Sequence, residues 1–452
     1  MKPPVIPPPM NEMIARAVAV SNTRLAEIIT AGVRPTAAGK YRHWDTLRQL
    51  APPKGFNREE WWLAMKFARR NIWHDLPLTD AEGAPFGYCM PDPAHEMTHL
   101  IDKQASGEIG ISEVVTSPEM RNRYLVSSLI EEAITSSQLE GASTSRAVAK
   151  EMLRSGRAPR DRSERMIVNN YRAMNLVRGW KDEPFTPERV LELHRVVTDG
   201  TLDDPDAAGR LQRPEDVRVQ VFDRLTGELR HTPPPAEQLP ARLAALCQFA
   251  NDQPTEGFLH PVVRSILVHL WLAYDHPFED GNGRTARAIF YWSMLKHGYW
   301  LTEFLSISTI LNRGPGKYSQ AFLFTETDDL DTTYFVLNQL RVICRAIDEL
   351  HAFLTRKMRE VRETERLLRR TDLNHRQIAL LSHALRHPDA EYTFRSHQTS
   401  HGVVYQSART DLLELQERGL LMRRRVGQRF VFTPVEELER RLAPPRGIAA
   451  AY

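Results

Sequence analysis

The feature that most constrains this chain is the short run from His276 to Arg287, which reads His-Pro-Phe-Glu-Asp-Gly-Asn-Gly-Arg-Thr-Ala-Arg. Apolar residues recur at helical spacing before this run, and the proline that follows His276 disfavours a helical conformation there, so a helix should end at the histidine. Gly281 and Gly283 can adopt positive φ, and helical spacing returns from Arg284 onward. The run therefore predicts a helix, a loop with converging backbone N–H groups, and a second helix.

The loop and the second helix are suited to bind a polyphosphate. A helix N-terminus behind a glycine-containing loop presents unpaired N–H donors and partial positive charge. Arg284 and Arg287 lie three residues apart in the first turn, on one face, where both can reach the same phosphate chain. The imidazole of His276, with an ordinary pKa of roughly 6.5, can accept a proton near neutral pH. The Asp280 carboxylate is the kind of ligand that Mg²⁺ prefers beside phosphate oxygens.

At every fixed position the run from His276 to Arg287 resembles the Fic motif, His-x-Phe-x-Asp/Glu-Gly-Asn-Gly-Arg-x-x-Arg. The resemblance implies a mainly α fold, with a Fic-type helical core, a small β-hairpin flap, a helical N-terminal domain and a C-terminal winged helix domain. It also implies an enzyme that transfers AMP from ATP to a Tyr, Thr or Ser hydroxyl of a target protein, with Mg²⁺ as cofactor.

The same resemblance implies a role for each residue of the motif. His276 would be the general base, Phe278 would anchor the loop in the core, and Asp280 would hold Mg²⁺. The backbone around the two glycines would form an anion hole, the asparagine side chain would also contact phosphate, and the two arginines would bind the β- and γ-phosphates. These phosphate-binding residues are Gly281, Asn282, Gly283, Arg284 and Arg287.

A second motif, Ser136-Ser137-Gln138-Leu139-Glu140-Gly141, closes an amphipathic pattern that predicts a helix over about 123–141. Ser136 and Glu140 are one turn apart and therefore share a face. The motif is similar to the inhibitory helix of the family, which ends in Gly or Asn after a glutamate that pairs with the second motif arginine, here Arg287. A carboxylate on that guanidinium would compete with the γ-phosphate, so the resemblance implies an enzyme that rests switched off.

The resemblance departs from the family at Tyr318-Ser319, where many members have two adjacent tyrosines beside the nucleoside. Tyr318 is expected to line the adenine pocket, and the substitution leaves the nucleotide base open. One alternative is a relative that transfers another phosphate-containing group; the phosphorylating members lack the second loop glycine, which is Gly283 here. Another alternative is a DNA-binding regulator whose Fic domain senses a nucleotide, although a sensor has no need of a base such as His276.

The patterns along the chain predict four parts: an N-terminal helical domain over 1–110, a Fic catalytic domain over 111–350, a helical linker over 351–372 and a winged helix-turn-helix over 373–440. Alternating residues over about 218–231 predict a hairpin similar to the family's flap, whose edge could hold a target segment by β-augmentation. The arginines of 373–440 could contact DNA, but winged helices also bind proteins, so both partners stay open.

Composition points to an ordinary soluble enzyme. A net charge of +3 gives no field that favours nucleic acid or membrane, and three widely spaced cysteines argue against disulfides and zinc. The N-terminus lacks the apolar core of a signal peptide. We therefore expect a cytoplasmic protein without membrane contact, whose oligomeric state and target the sequence leaves open.

Overall fold

The computed structural model describes residues 3–106, 118–222, 227–252, 257–368, 371–386, 390–426, 429–436 and 438–442. The chain divides into two compact units, Met1–Leu350 and His351–Tyr452. Within the described residues the structure is mainly helical, with three small two-stranded antiparallel sheets, which confirms the predicted fold class. The predicted N-terminal and catalytic domains share the first unit. No helix in the described ranges is both long enough and apolar enough to cross a bilayer.

The N-terminal part of the first unit combines helices with a hairpin. The helices are α1 (Met10–Val20), α2 (Arg24–Thr30), α3 (Trp44–Leu47), α4 (Arg58–Arg70) and α5 (Asp92–Ile101), and the strands are β1 (Trp73–Thr79) and β2 (Pro85–Cys89). The sequence predicts a helical domain over 1–110, whereas the structure has a hairpin from Trp73 to Cys89. In β1 the buried Leu76 and Leu78 alternate with less buried neighbours, as a strand requires, and Asp80 accepts two backbone N–H groups in the turn.

A buried network of charges ties this part to the residues that follow the catalytic helices. Lys66 Nζ lies 2.8 Å from Asp328 Oδ1, and the Tyr334 hydroxyl donates to Asp328 Oδ2 at 2.6 Å. Arg69 Nη1 lies 3.6 Å from the same carboxylate oxygen. The side chains of Lys66 and Asp328 are 5% and 2% exposed, so each charge depends on its partners for solvation.

Lys66→Met should lower the free energy of unfolding by about 3–5 kcal/mol, because the buried Asp328 charge loses its nearest cation. Lys54→Met, on an exposed turn, is the matched control and should change stability by less than about 0.5 kcal/mol. Urea unfolding of both variants measures the difference. Equal midpoints would mean that the network contributes nothing to stability.

The rest of the first unit surrounds a central pair of antiparallel helices. Its helices are α6 (Pro118–Leu139), α7 (Arg146–Ser155), α8 (Arg162–Gly179), α9 (Pro187–Thr198), α10 (Leu239–Ala250), α11 (Pro261–Asp275), α12 (Asn282–Lys296), α13 (Ile307–Asn312), α14 (Pro315–Thr327) and α15 (Thr333–Leu368), whose last residues belong to the second unit. Helices α11 and α12 are buried on nearly all sides, and Ile266 and Ile289 are fully buried between their neighbours. The loop between these two helices is therefore held by packing from both ends.

The predicted flap is present but shorter than expected. Strands β3 (Val221–Phe222) and β4 (Leu229–His231) pair antiparallel, with Val221 opposite His231. The prediction that the first strand begins at Arg218 is wrong, because the guanidinium of Arg218 binds backbone carbonyls beneath the flap. Residues 223–226, which include the predicted turn residue Thr226, lie outside the described set.

The second unit contains three helices followed by a hairpin, in the predicted order. The elements are α16 (His375–Arg386), α17 (Phe394–His401), α18 (Tyr405–Glu417), β5 (Leu421–Val426), β6 (Arg429–Pro434) and α19 (Leu438–Leu442). Leu381, Leu412 and Phe432 are fully buried in its core. Outside the described residues lie Gly427 and Gln428, which join the two strands of the predicted wing. The described set also leaves out the side chains of the apolar residues in the predicted linker, which are Met358, Val361 and Leu367. The assignment as a winged helix stays a prediction.

Candidate active site

His276 stands at the C-terminal end of α11, where the sequence places the helix end. Its backbone is left-handed, with φ 45° and ψ 53°, and its N–H donates to the Leu272 carbonyl at 3.0 Å. The imidazole is half-buried, and Nδ1 lies 3.4 Å from the Ala273 carbonyl. Because a carbonyl can only accept, Nδ1 carries the proton and Nε2 is left as an acceptor. Burial lowers the pKa of His276 to about 4, so the ring is neutral and can accept a proton at neutral pH.

The loop after His276 is anchored by an aromatic stack. Phe278 is fully buried, and its ring lies parallel to His194 with 3.7 Å between the centroids. His194 Nδ1 accepts the Gly209 N–H, and Nε2 donates to the Asp280 carbonyl, both at 2.9 Å. Sequence reasoning missed His194, whose one signal was its place on the buried face of α9 beside Val190 and Val197. This histidine fixes the loop by one stack and one hydrogen bond.

Burial lowers the pKa of His194 to about 4, which makes the loop's anchor sensitive to acid. Between roughly pH 6.5 and 4 the unfolded chain binds a proton at this histidine and the folded chain does not. Stability therefore falls as the pH is lowered through this range, by up to about 1.4 kcal/mol per pH unit. His194→Gln should flatten the decline of stability over this window. His95→Gln, on an exposed helix face, should leave the decline unchanged. Chemical denaturation at several pH values measures the slopes, and parallel slopes for all three proteins would contradict the assignment.

Asn282 braces the loop from within. Its Oδ1 accepts the Phe278 N–H at 3.0 Å, and its Nδ2 donates to the Phe278 carbonyl at 2.8 Å. The residue is 2% exposed. In this structure the amide therefore serves loop closure, and the expected contact with phosphate through the side chain stays a prediction.

The two loop glycines are needed for different reasons. Gly281 has φ 81°, and a Cβ at this position would lie 2.7 Å from Thr198 Cγ2. A Cβ on Gly283 would lie 2.1 Å from Glu140 Oε1. A carboxylate oxygen thus rests against the backbone of the loop at the N-terminus of α12, where an anion is favoured.

The guanidinium of Arg284 is buried and does not use all of its N–H donors within the described residues. The residue is fully buried, and its Nη1 donates to the Val197 carbonyl at 3.0 Å. Among the described residues, no hydrogen-bond partner faces its Nε or Nη2, although Asp280 Oδ2 lies 3.5 Å from Nη2. A buried donor without a partner is costly, and a charged one more so. The site therefore favours an anionic ligand that can accept from Arg284.

Arg287 joins the loop to the upstream motif, which sequence analysis paired with it. Nε donates to Ser136 Oγ at 2.9 Å, and Nη2 donates to the Ser136 carbonyl at 3.0 Å and to Glu140 Oε1 at 2.8 Å. The arginine is 3% exposed and the Glu140 side chain 24%. Helix α6 ends before Gly141, whose φ of 98° is the left-handed conformation predicted for the residue after a helix. The structure thus brings Ser136, Glu140 and Arg287 together.

Asp280 is the motif carboxylate that lies beside Arg284. Its Oδ1 accepts the Gly281 N–H at 2.5 Å, and its Oδ2 lies 3.5 Å from Arg162 Nη2 as well as from Arg284 Nη2. The described part of the chain contains no group of three or more metal-ligating side chains. Mg²⁺ needs only one or two carboxylates when phosphate oxygens supply other ligands. The half-exposed Asp280 fits that requirement.

Tyr318 lies beside Arg287. Its hydroxyl is 2.9 Å from His269 Nε2, and burial raises the pKa of Tyr318 to about 12 and lowers that of His269 to about 3. The tyrosine also lines a cavity of about 1100 Å³, together with apolar residues such as Leu311 and Leu337. Tyr318 therefore connects the arginine site to a space large enough for a nucleoside.

Comparisons with known proteins point to one family. Residues 184–294 match the Fic/DOC family. A protein adenylyltransferase Fic from Nematostella vectensis is 34% identical over 119 residues, which are 26% of this chain and 25% of that protein. Protein adenylyltransferase fic-1 from Caenorhabditis elegans is 34% identical over 110 residues, 24% of this chain and 19% of that protein. The chain thus spans a quarter or less of the length of these curated relatives.

Among solved structures, a Fic family protein from Desulfovibrio desulfuricans G20 has a similar fold. The match has a TM-score of 0.54 at 17% identity and covers 80% of this chain and 99% of that one. The helix–loop–helix, the motif from His276 to Arg287 and this shared fold define one class of protein. Residues 184–294 are a Fic domain.

Proposed function

We propose that this chain is a protein adenylyltransferase that transfers AMP from ATP to a Tyr, Thr or Ser hydroxyl of a target protein. The hydroxyl oxygen would attack the α-phosphorus, the bond from that phosphorus to the bridging oxygen would break, and pyrophosphate would leave. The observation that carries the proposal is the fully buried Arg284, which has unpartnered N–H groups at the N-terminus of α12. The names of the relatives support adenylyl transfer at the level of the family.

The roles of the motif residues follow from their chemistry. His276 Nε2 would accept the proton of the attacking hydroxyl, since Nδ1 faces the Ala273 carbonyl and the ring is neutral. Arg284 and Arg287 would bind the β- and γ-phosphates, and the N–H groups of residues 281–283 would face the phosphate oxygens. This arrangement would bring the hydroxyl, the base and the α-phosphorus together in one cleft, where alignment lowers the barrier.

Asp280 would hold Mg²⁺. When bound, the ion would neutralise phosphate charge and help orient the polyphosphate. Tyr318 would contact the adenine at the edge of the large cavity, where apolar residues such as Leu311 and Leu337 suit a base.

The resting state is proposed to be switched off by Glu140. Its carboxylate accepts a hydrogen bond from Arg287 Nη2 and lies against Gly283. It would therefore compete with the γ-phosphate for the guanidinium and for the backbone at the start of α12. ATP could then bind only in a pose unsuited to in-line attack. Residues Ser136 and Gly141 set this geometry, the first by its two contacts with Arg287 and the second by ending the helix.

A target segment is proposed to dock on the flap, over about 218–231. Phe222 and Leu229 are opposite each other in the hairpin and are 51% and 50% exposed. Exposed apolar side chains beside a short strand edge suit an extended peptide, which would add its own backbone hydrogen bonds.

The test is to supply ATP labelled at the α-phosphate or at the γ-phosphate to the Glu140→Gly variant. Label from the α-phosphate alone should stay on protein, and His276→Ala in the same background should label neither way. Label from the γ-phosphate would overturn the proposal in favour of phosphorylation. Binding of ATP without any protein label would favour the alternative, a DNA-binding regulator that senses a nucleotide.

The second unit carries the observation that favours this alternative. Arg423, Arg425 and Arg429 on the hairpin are exposed, and so are Gln406 and Arg409 on α18. These side chains could contact the phosphates and base edges of duplex DNA. The full chain should then bind duplex DNA with an affinity that falls steeply with salt, by a slope of about 0.9 per phosphate contact in logarithmic units. Binding that is absent at low salt would leave a protein partner for residues 373–440.

A cytoplasmic location and the absence of membrane contact remain predictions, and the oligomeric state remains open.

A further inference from the structure

The carbonyls at the end of α11 are bound by residues of the flap region. The last carbonyls of a helix have no partner within it, so other donors or water must satisfy them. Here four consecutive carbonyls each accept a hydrogen bond from outside the helix. The pairs are Tyr274 with His231 Nε2 at 2.7 Å, Asp275 with Arg218 Nη2 at 2.6 Å, His276 with Arg218 Nη1 at 2.8 Å and Pro277 with the Gln212 N–H at 2.9 Å.

The two bonds from Arg218 fall on the peptide groups that flank the Cα of His276. The Asp275 carbonyl belongs to the peptide before this atom, and the His276 carbonyl belongs to the peptide after it. Because peptide groups are planar, their orientations set φ and ψ of His276. That residue is left-handed, a conformation that is unfavourable for a non-glycine residue and persists only where the surroundings hold it.

Arg218 is itself held rigidly. Its Nε donates to the Pro234 carbonyl at 2.9 Å, and its Nη1 also contacts Gln212 Oε1. Gln212 is 6% exposed, and its Nε2 donates to the Val217 carbonyl at 3.0 Å. A planar guanidinium with fixed donor directions can grip two carbonyls at a set angle, which an ammonium cannot.

Strand β4 of the flap is joined to the same helix end. His231, in β4, contacts Glu326 Oε2 through Nδ1 at 3.0 Å while Nε2 binds the Tyr274 carbonyl. Arg218, which precedes β3, and His231, which ends β4, are therefore both hydrogen bonded to the residues that carry His276.

We propose that Arg218 is a positioning residue for the proposed reaction, and that it aims His276 by holding the two peptide groups on either side of it. This inference rests on the proposed role of His276 as the base. It implies that the flap, which would dock the target, and the histidine, which would deprotonate the target hydroxyl, move as one hydrogen-bonded unit. A target hydroxyl that the flap positions would then lie within reach of His276 Nε2.

The test is Arg218→Lys in the Glu140→Gly background, where activity is expected to be measurable. Lysine keeps the positive charge but cannot bind both carbonyls as a fork. We expect kcat to fall about a hundredfold, as for a misplacement of about 1 Å at the reacting atoms. The KM for ATP should hardly change, because Arg218 is assigned no phosphate. Arg213→Lys, on the same segment but paired with Glu215, is the matched control and should keep the parental kcat.

A second readout does not depend on activity. Histidines labelled with ¹³C, with the His276 signal assigned from its loss in His276→Ala, report the left-handed backbone through the Cα chemical shift. In Arg218→Lys the Cα shift of His276 should move toward the values typical of histidines with negative φ, while the Cα shift of His194 should not change. Arg218→Gln, whose single amide nitrogen cannot reproduce the fork of two nitrogens, covers the case in which the lysine variant fails to fold, and should show the same change.

An Arg218→Lys or Arg218→Gln variant that folds and keeps both the kcat of the Arg213→Lys control and the parental His276 shift would overturn the inference. If Glu140→Gly itself labels no protein, the proposed function fails, and the chemical shift still decides whether Arg218 holds His276.

Discussion

Replacing Glu140 with glycine should raise labelling of protein from α-labelled ATP about ten- to a hundredfold above wild type. The change removes a charge-assisted hydrogen bond to the buried Arg287, of the kind worth about 1.5–3 kcal/mol, and this energy must otherwise be overcome when the γ-phosphate takes its place. It also clears the carboxylate from the backbone of Gly283. The gain should appear in autolabelling and in labelling of any target.

The same variant should lose some stability without nucleotide. A carboxylate at an exposed helix end would contribute little to stability, but the Glu140 carboxylate is paired with Arg287, which is 3% exposed and would keep its contacts with Ser136. We expect a loss of about 1–3 kcal/mol, as for a buried donor that loses a partner. ATP should restore this loss, so the thermal shift induced by ATP should be larger in Glu140→Gly than in wild type.

Gln138→Gly is the matched control, because it loosens the same helix end without touching Arg287. It should label at the wild-type rate. If Gln138→Gly labels as fast as Glu140→Gly, activation comes from a loosened helix and the carboxylate is not the inhibitor. If neither labels faster than wild type while both remain folded and bind ATP, Glu140 has no regulatory role.

His276→Ala should reduce adenylyl transfer by at least about a hundred- to ten-thousandfold, the contribution usual for a positioned general base. Binding of ATP should persist, because the phosphates are assigned to Arg284, Arg287 and the loop backbone, not to the imidazole. Transfer is measured with α-labelled ATP in the Glu140→Gly background, and binding by the thermal shift that ATP induces.

His276→Asn separates the loss of the base from damage to the loop. Asparagine tolerates left-handed backbone better than alanine, so it should preserve the loop at φ 45° more completely. Both variants should be equally inactive if proton transfer is the missing step. Substantial transfer by His276→Asn would instead show that the residue matters for its backbone and that another group takes the proton.

Much of this molecule follows from local sequence. Pro277 and the apolar spacing before it indicate the end of α11 at Asp275, and the glycine after Glu140 indicates the end of α6, because both depend on the backbone preferences of a few adjacent residues. The polyphosphate loop is equally local, since its glycines, arginines and histidine are consecutive. The pairing of Glu140 with Arg287 was found only through the resemblance to a family, because these residues are far apart in the chain.

The structure alone assigned the residues that hold the loop in place. His194, Gln212, Arg218 and His231 belong to no motif, and nothing in their spacing relates them to His276. Most of their hydrogen bonds are made to backbone carbonyls, which every residue possesses. The identity of the residue whose carbonyl accepts therefore does not indicate which side chain will donate to it. The hairpin over Trp73–Cys89 was missed for a related reason, because its aromatic residues fit a helical period as well as a strand. Chemistry carried by adjacent side chains can therefore be predicted from the sequence, whereas the orientation of His276 depends on backbone hydrogen bonds between distant segments, which only the folded chain defines.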